Sequence, residues 1–327
     1  MSNLLEIKNL RTHFVKNKRI IRAVDGIDFQ IGKGETIALV GESGCGKSMT
    51  SLSIMGLVPS PGGKIVEGEI ILDGVNLLDL TEKEMYGVRG KDIAMIFQEP
   101  MTSLNPVLTI GDQLTSVIIH HLKLSKKEAN LRAIEMLELV GFSDPTKMMK
   151  NYPHRLSGGM RQRVMIAMAM SCNPKLLIAD EPTTALDVTI QAQVLELMKE
   201  LSKRFSTSIL LITHDLGVVS ELAERVVVMY AGQIVEIATI EDLFDDPLHP
   251  YTIGLINSVP SIEGEIKRLQ SIEGNVPAPG SIIQGCKFAA RCSHAFDRCW
   301  IEEPDLLLMD DSRAVRCFLY DDEEANV

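Results

Sequence analysis

An eight-residue stretch near the amino end constrains this chain more than any other feature of its sequence. Residues 41–48 read GESGCGKS, which fits the pattern GxxxxGK[ST], and they directly follow the apolar run ETIALV at 35–40. A buried parallel strand that enters a helix through a glycine-rich turn has this appearance. In such a loop, backbone N–H groups surround phosphate oxygens and the helix N-terminus adds its positive dipole. We therefore predict a phosphate-binding loop, called the P-loop below, at residues 41–48.

The side chains of the P-loop have separate predicted roles. Lys47 supplies a point charge to the β- and γ-phosphates of a nucleotide, and Ser48 offers a hydroxyl to Mg²⁺. A glycine-rich turn that binds nothing is the competing interpretation, and the lysine, the serine and the strand–helix context argue against it. The predicted nucleotide contacts of this segment are Gly41, Ser43, Gly44, Cys45, Gly46, Lys47, Ser48 and Met49.

A second apolar run ends in two carboxylates. Residues 176–181 read LLIADE. Asp180 suits a Mg²⁺ site, directly or through water, and Glu181 can polarise an attacking water. Two acids at the end of a strand are, alone, more often a helix cap or a solvated turn. Together with the P-loop they predict a site of nucleotide hydrolysis.

Apolar strand-like runs alternate with helical segments along most of the 327 residues, which indicates an α/β fold with a largely parallel core sheet. The first segment, 4–31, is typical of a small antiparallel sheet, and an insertion at about 100–172 is helical. Proline, glycine and cysteine become denser after residue 250. We predict one domain at 1–250 and a C-terminal extension at 251–327 that ends in a disordered acidic tail.

The charge balance restricts the partners. The formal net charge is −11, which argues against nucleic acid as the main partner because duplex binding needs a basic surface. We see neither an apolar stretch of the ~20 residues that a membrane span needs nor a secretory signal. The expectation is a cytoplasmic protein that reaches a membrane only through a partner.

A third motif, LSGGMRQR at residues 156–163, lies between the other two. Ser157 can cap the following helix, and the glycines expose backbone N–H groups at its start, although a simple capped helix would have the same residues. LSGG-x-Q ahead of the carboxylate-ending strand resembles the signature of the ATP-binding cassette (ABC) family. The signature residues, which would contact ATP held by a partner cassette, are then Ser157, Gly158, Gly159 and Gln162.

The resemblance covers residues 1–250 and implies a P-loop cassette with a RecA-like core, an antiparallel β subdomain and a helical subdomain. It implies that Phe14 stacks on adenine, with Arg22 or a neighbour as the alternative. It also implies that Asp187 belongs to the D-loop and that His214, otherwise read as a packed side chain, contacts the γ-phosphate. The implied catalytic residues are Glu181, His214 and Gln98, and the implied Mg²⁺ ligands are Ser48, Gln98 and Asp180.

The C-terminal extension narrows the family. The segments HPYT at 249–252, GNVP at 274–277 and CKF at 286–288 are similar to the ATPases of dipeptide and oligopeptide importers, as is EPMTSLNP at 99–106. The resemblance implies an ATP-hydrolysing subunit, peripheral on the cytoplasmic face of the membrane, that powers import of dipeptides or oligopeptides. Its implied partners are a second ABC ATPase, identical or different, two transmembrane permease subunits and, indirectly, an extracytoplasmic solute-binding protein.

Three other functions stay open at this point. Similar ATPases serve importers of nickel or another small solute, and the contacts that select the solute lie in other subunits. A soluble ABC ATPase acting on DNA or the ribosome is disfavoured by the single cassette, the lack of a heptad run and the acidic charge. A regulatory protein is disfavoured by the complete set of hydrolytic motifs.

Four cysteines cluster in the last fifth of the chain with the spacing C-x5-C-x6-C-x17-C, namely Cys286, Cys292, Cys299 and Cys317. Four thiolates suit either a [4Fe–4S] cluster or Zn²⁺ on ligand count, and paired CxxC motifs are missing. The family resemblance favours the [4Fe–4S] cluster. A small segment with little apolar periodicity also benefits from a metal cross-link. Unligated packed thiols are the competing interpretation, which we apply to Cys45 and Cys172.

Overall fold

The computed structural model describes residues 3–16, 19–98, 103–184, 186–258, 272–277, 281, 284–310 and 312–321. Sequence features at 99–102, at Ala185 and in the tail after 321 lie outside these residues. The chain divides into two compact units. The first unit contains Met1–Leu5, Ile31–Thr36 and Leu72–Ile212, and the second contains Glu6–Gln30, Ile37–Ile71 and Thr213–Val327.

Strands and helices alternate along most of the described chain. The strands are β1 (Asn3–Lys16), β2 (Arg19–Gly32), β3 (Thr36–Val40), β4 (Gly63–Leu72), β5 (Val75–Asn76), β6 (Ile93–Ile96), β7 (Leu176–Asp180), β8 (Ser208–Ile212), β9 (Arg225–Tyr230), β10 (Gln233–Thr239), β11 (Leu307–Leu308) and β12 (Ala314–Val315). The α-helices are α1 (Lys47–Ile54), α2 (Glu82–Val88), α3 (Ile110–Leu122), α4 (Lys126–Leu139), α5 (Pro145–Met148), α6 (Gly158–Met170), α7 (Val188–Phe205), α8 (Leu216–Leu222), α9 (Ile240–Asp245), α10 (Pro250–Asn257) and α11 (Asp297–Ile301).

In the first unit, three strands pair in parallel in the order β6, β7, β8. Every residue of β7 and of β8 is buried, as expected for interior strands covered on both faces. The helices α3, α4 and α6 each begin at a side-chain cap, Thr109, Ser125 and Ser157 respectively. This alternation of buried parallel strands with capped helices confirms the predicted α/β class.

In the second unit, β3 is buried throughout and pairs in parallel with β9. The sheet then continues with antiparallel pairs, from β9 to β10, to β12 and finally to β11. A separate sheet has the strand order β2, β1, β4. The carboxyl end of the described chain packs on the same core as these strands, because Phe288 belongs to a buried cluster with Tyr230 and Tyr251. The predicted division at residue 250 stays a prediction.

The sequence predicts no segment that could span a membrane, and the helices of the structure can be compared with that prediction. Among the described residues, no helix has both the length and the apolar character that a membrane crossing requires.

Candidate active site and cysteine cavity

At two positions of the P-loop, only glycine fits the backbone. Gly41 has φ +146° and Gly46 has φ +113°, in the region that favours glycine. A Cβ atom on Gly41 would lie 2.2 Å from the Met229 carbonyl oxygen, and one on Gly46 would lie 2.5 Å from that of Ala23. The sharp turn before α1 therefore requires glycine on both steric and conformational grounds.

Lys47, the first residue of α1, is buried, and its ammonium group is directed back over the loop. Its Nζ atom donates to the carbonyl oxygen of Gly41 at 2.6 Å and to that of Glu42 at 3.1 Å. Ser48 and Met49 follow in the first helical turn, half-buried, while Ser43 and Gly44 are exposed. Cys45 is buried, and burial raises the pKa of its thiol, so this cysteine is a neutral packing residue.

The P-loop also receives side chains that sequence reasoning missed. Arg291 forms an ion pair with Glu42 at 2.7 Å, and the hydroxyl oxygen of Tyr251 accepts from the Glu42 N–H at 2.9 Å. Glu42 occupies a variable position of the motif, so the pattern assigned it no role. The only sequence feature that could have indicated this contact is the pair of basic residues beside the cysteines, Lys287 after Cys286 and Arg291 before Cys292.

The predicted catalytic carboxylates stand at the end of β7 in the first unit. Asp180 is buried, and the Oε2 atom of Glu181 accepts from the Gln98 Nε2 atom at 2.8 Å and from the Thr184 hydroxyl at 3.0 Å. Glu181 has φ +48°, a left-handed conformation that costs a non-glycine residue free energy. Its backbone N–H donates to the Ile212 carbonyl oxygen at 2.8 Å. Of the predicted catalytic residues, the structure thus brings Gln98 and Glu181 together.

The signature motif forms the start of α6. Ser157 is the N-cap, and its hydroxyl accepts from the Met160 N–H at 3.3 Å. A Cβ atom on Gly159 would lie 2.7 Å from the Ile190 side chain, so glycine permits close packing here. Asp187 caps α7 by accepting from the Ile190 N–H at 3.0 Å. The signature and the D-loop residue therefore meet around Ile190 in the first unit.

Gln162 of the signature motif is a buried polar residue whose amide group is unpaired in the part of the chain that the structure describes. Its side chain is fully buried, yet neither its amide nitrogen nor its amide oxygen has a hydrogen-bond partner within the described residues. Buried polar groups are nearly always hydrogen-bonded, and an unpaired one costs free energy. The unpaired amide of Gln162 therefore lies in the interior and costs free energy there.

Phe14 and His214 belong to the second unit, with the P-loop. The half-buried ring of Phe14 lies beside the start of β4, where a Cβ atom on Gly63 would be 2.7 Å from its Cε1 atom. His214 is exposed and follows Thr213, whose N–H donates to the Leu39 carbonyl oxygen at 3.3 Å. The contacts of Phe14 with adenine and of His214 with phosphate stay predictions.

The four clustered cysteines line a single cavity together with aromatic side chains. Burial, together with the nearby thiols of Cys286, Cys292 and Cys299, raises the pKa of Cys317 to about 11. Across the described part of the chain, no three His, Cys, Asp or Glu side chains are arranged to hold one metal ion. The other two cysteines, Cys45 and Cys172, are buried elsewhere. The lining residues are His249, Pro250, Cys286, Phe288, Ala289, Cys292, His294, Phe296, Cys299, Cys317, Phe318 and Leu319.

Two family models match the chain, one described as ABC transporter over residues 24–184 and one as oligopeptide/dipeptide transporter, C-terminal region, over residues 235–299. The oligopeptide transport ATP-binding protein AppD of Bacillus subtilis is 65% identical over 325 residues, which cover 99% of each chain. The dipeptide transport ATP-binding protein DppD of the same organism is 51% identical, over 98% of this chain and 96% of its own length.

Solved structures agree with this relationship. A dimeric post-hydrolysis state of the ATP-binding cassette MJ0796, bound to ADP and Pi, aligns with a TM-score of 0.65 at 29% identity. The alignment covers 72% of this chain and 98% of that chain. The cassette cbiO1 from Clostridium perfringens, part of the transporter complex cbiONQ, aligns with the same TM-score at 26% identity, over 75% of this chain and 92% of that one. The chain therefore belongs to the ATP-binding proteins of the ABC transporter family, in the oligopeptide and dipeptide transport group.

Proposed function

We propose that this chain is the ATP-hydrolysing subunit that powers import of dipeptides or oligopeptides through an ABC transporter. The observation that carries the proposal is one chain with both a complete P-loop cassette and the oligopeptide-type C-terminal region, 65% identical to a named oligopeptide transport protein along 99% of its length. Import of nickel or another small solute, and a soluble role on DNA or the ribosome, have no comparable support.

Within that function, Glu181 would orient the attacking water and accept its proton. The water oxygen forms a bond to the γ-phosphorus, and the bond between that phosphorus and the ADP oxygen breaks. Gln98 supports this role of Glu181, since its amide fixes one carboxylate oxygen at 2.8 Å. Lys47 would hold the β- and γ-phosphates, and His214 would contact the γ-phosphate.

The proposed Mg²⁺ ligands have the chemistry that this ion prefers. Asp180 offers a buried carboxylate, Ser48 a hydroxyl and Gln98 an amide oxygen, and Mg²⁺ binds oxygen ligands. The ion, when bound, would neutralise charge on the phosphate oxygens. The protein residues would fix its place.

We propose that two cassettes act together, each ATP lying between the P-loop of one chain and the signature of the other. Ser157 and Gly158, both exposed at the start of α6, support contact with a ligand or partner at this point. A named structural neighbour is also a dimer of cassettes. The second cassette is a copy of this chain or a related ATPase.

A mixed dimer tests this arrangement. One copy carries Lys47→Ala and the other carries Ser157→Arg, so one composite site stays intact if the signature acts on the partner's nucleotide. We expect measurable ATP turnover from this dimer and almost none from either variant paired with itself. The matched control combines both substitutions in one copy opposite a wild-type copy, which should be inactive. Activity in the control with none in the mixed dimer would show that each chain uses its own signature.

The proposed location is the cytoplasmic face of the cell membrane, on two transmembrane permease subunits, with a solute-binding protein delivering peptide from the other side. Nucleic acid is not a proposed partner. Purification of the chain with its membrane partners, followed by mass spectrometry of the bound solute, tests the proposal. Peptides in the binding protein support it, and a metal or another small solute in their place contradicts it.

We further propose that Cys286, Cys292, Cys299 and Cys317 hold a [4Fe–4S] cluster. All four thiols line one cavity, and each would bind a different iron atom, so their sulfurs need not converge on one point. A single zinc ion, the alternative, needs sulfurs at ~2.3 Å from a common point, and the described side chains provide no such group. The cluster would be a structural cross-link with no redox step in ATP hydrolysis.

Metal analysis distinguishes these possibilities. We expect about four iron and four sulfide per chain after anaerobic purification, with loss of both in Cys292→Ser. The control Cys172→Ser removes a buried thiol outside the cavity and should retain the iron. Zinc without sulfide would show that the four cysteines bind zinc and not an iron–sulfur cluster. Metal-free protein with an ordered C-terminal segment would contradict both assignments.

A further inference from the structure

We propose that Arg291 is a positioning residue for the P-loop, which it reaches through Glu42, and that ATP affinity depends on this contact. The proposal rests on the role given above to the P-loop and Lys47. It concerns a contact between the cysteine-bearing end of the chain and the nucleotide loop, both of which belong to the second unit.

The contact between Arg291 and Glu42 joins residues 249 positions apart. The guanidinium donates from Nη1 to the Glu42 Oε2 atom at 2.7 Å and from Nη2 to the Oε1 atom at 3.1 Å. The Arg291 side chain is only 5% exposed, and the hydrogen bond to Glu42 raises its pKa above the ordinary value. Paired hydrogen bonds between a guanidinium and a carboxylate are strong and fix orientation. The Glu42 side chain is therefore held in one place.

The backbone of Glu42 is held at the same time. Its N–H donates to the hydroxyl oxygen of Tyr251 at 2.9 Å. The Tyr251 ring is fully buried and lies against Tyr230, with ring centroids 4.7 Å apart. The Tyr230 hydroxyl in turn lies 3.4 Å from the Arg291 Nη1 atom. Side chain and backbone of this one P-loop residue thus contact the same group of buried side chains.

Glu42 is also the residue to which Lys47 is anchored. The Lys47 Nζ atom donates to the Glu42 carbonyl oxygen at 3.1 Å and to the preceding carbonyl, that of Gly41, at 2.6 Å. A shift of Glu42 would move these oxygens and with them the ammonium group. The ion pair with Arg291 therefore acts on the position of the proposed phosphate-binding charge.

A neighbouring lysine supports the other side of the loop. Lys287 donates to Asp25 at 2.9 Å and to the Ala231 carbonyl oxygen at 3.1 Å. The next residue, Gly232, donates its N–H to the Cys45 carbonyl oxygen at 2.8 Å. Lys287 and Arg291 both lie within the seven-residue segment 286–292, so a single short segment fixes the P-loop at two points.

The contact between Arg291 and Glu42 should affect ATP affinity more than ATP turnover. A loop that is already ordered binds phosphate without the cost of ordering it, so loss of the contact should weaken ATP binding. The catalytic carboxylates are untouched, and turnover at saturating ATP should change much less than affinity. A contact that only stabilised the fold would lower the melting temperature without changing the affinity of the folded protein.

The test uses the full chain and a fluorescent ATP analogue. We expect Arg291→Ala to weaken nucleotide binding about 10-fold, as for the loss of a charge-assisted hydrogen-bond pair. Glu42→Ala should cause the same loss, and the double variant should be no weaker than either single one. The control Arg313→Ala removes another arginine of the C-terminal end, paired with Asp246 at 3.3 Å, and should leave affinity within about twofold.

Unchanged affinity in folded Arg291→Ala, or independent losses that multiply in the double variant, would overturn the proposal. If Arg291→Ala does not fold, Glu42→Ala decides the question from the P-loop side, since it leaves the arginine in place. Lys47→Ala distinguishes failure of this inference from failure of the proposed function. If it abolishes binding while Arg291→Ala and Glu42→Ala have no effect, only this inference fails; if it leaves binding intact, the proposed function of the P-loop fails.

Discussion

Glu181→Gln is expected to lower ATP turnover by at least about 100-fold while ATP affinity stays within about twofold. The glutamine side chain has nearly the same shape and keeps one oxygen for the hydrogen bonds from Gln98 and Thr184. It cannot accept a proton from the attacking water. The loss should therefore fall on the chemical step, and the measurement is turnover together with nucleotide affinity in the assembled transporter.

A matched substitution shows whether the effect belongs to the site. Glu138 is an exposed glutamate of the same unit, on α4, and Glu138→Gln should retain wild-type turnover. Turnover of Glu181→Gln within a few-fold of wild type would remove Glu181 from the catalytic role.

Lys47→Ala is expected to weaken ATP binding by at least about 100-fold, since it removes the buried charge that we propose to hold the phosphates. The Lys47 ammonium group is held over the loop by the carbonyl oxygens of Gly41 and Glu42. Alanine leaves the glycine turn intact and takes away only the charge. Nucleotide affinity measured on folded protein checks the prediction directly.

The control for Lys47 is Lys33, which is exposed and pairs with Asp73 at 2.9 Å. Lys33→Ala should leave ATP affinity unchanged, because exposed ion pairs contribute little. If both substitutions lowered ATP affinity equally, the loss would reflect the change in net charge and not a specific role of Lys47. Unaltered binding in Lys47→Ala would show that residues 41–48 are not the nucleotide site.

The sequence predicted those parts of the fold that depend on local pattern. A continuous apolar run predicts a strand buried on both faces, and β3 and β7 are both buried throughout. The P-loop turn was predictable because Gly41 and Gly46 occupy positions where other residues meet backbone oxygens. Ser157 was predictable as a cap because its hydroxyl satisfies a local N–H group.

Other features depend on contacts that no local pattern contains. Glu181 has a left-handed backbone conformation directly after β7, which a glutamate in the sequence does not indicate. Arg291 and Glu42 are 249 positions apart and meet only after folding. The spacing of the cysteines indicated a cluster of thiols, but only the structure places all four around one cavity.

ATP-driven peptide uptake by the reconstituted transporter tests whether this chain powers peptide import. Vesicles containing the permease subunits and this chain are loaded with ATP, and a labelled oligopeptide is supplied outside with the solute-binding protein. We predict accumulation of peptide that requires ATP and falls to background with Glu181→Gln. Peptide accumulation that continues undiminished with Glu181→Gln would exclude the proposed role of Glu181, and ATP hydrolysis without any peptide uptake would exclude the proposed import function.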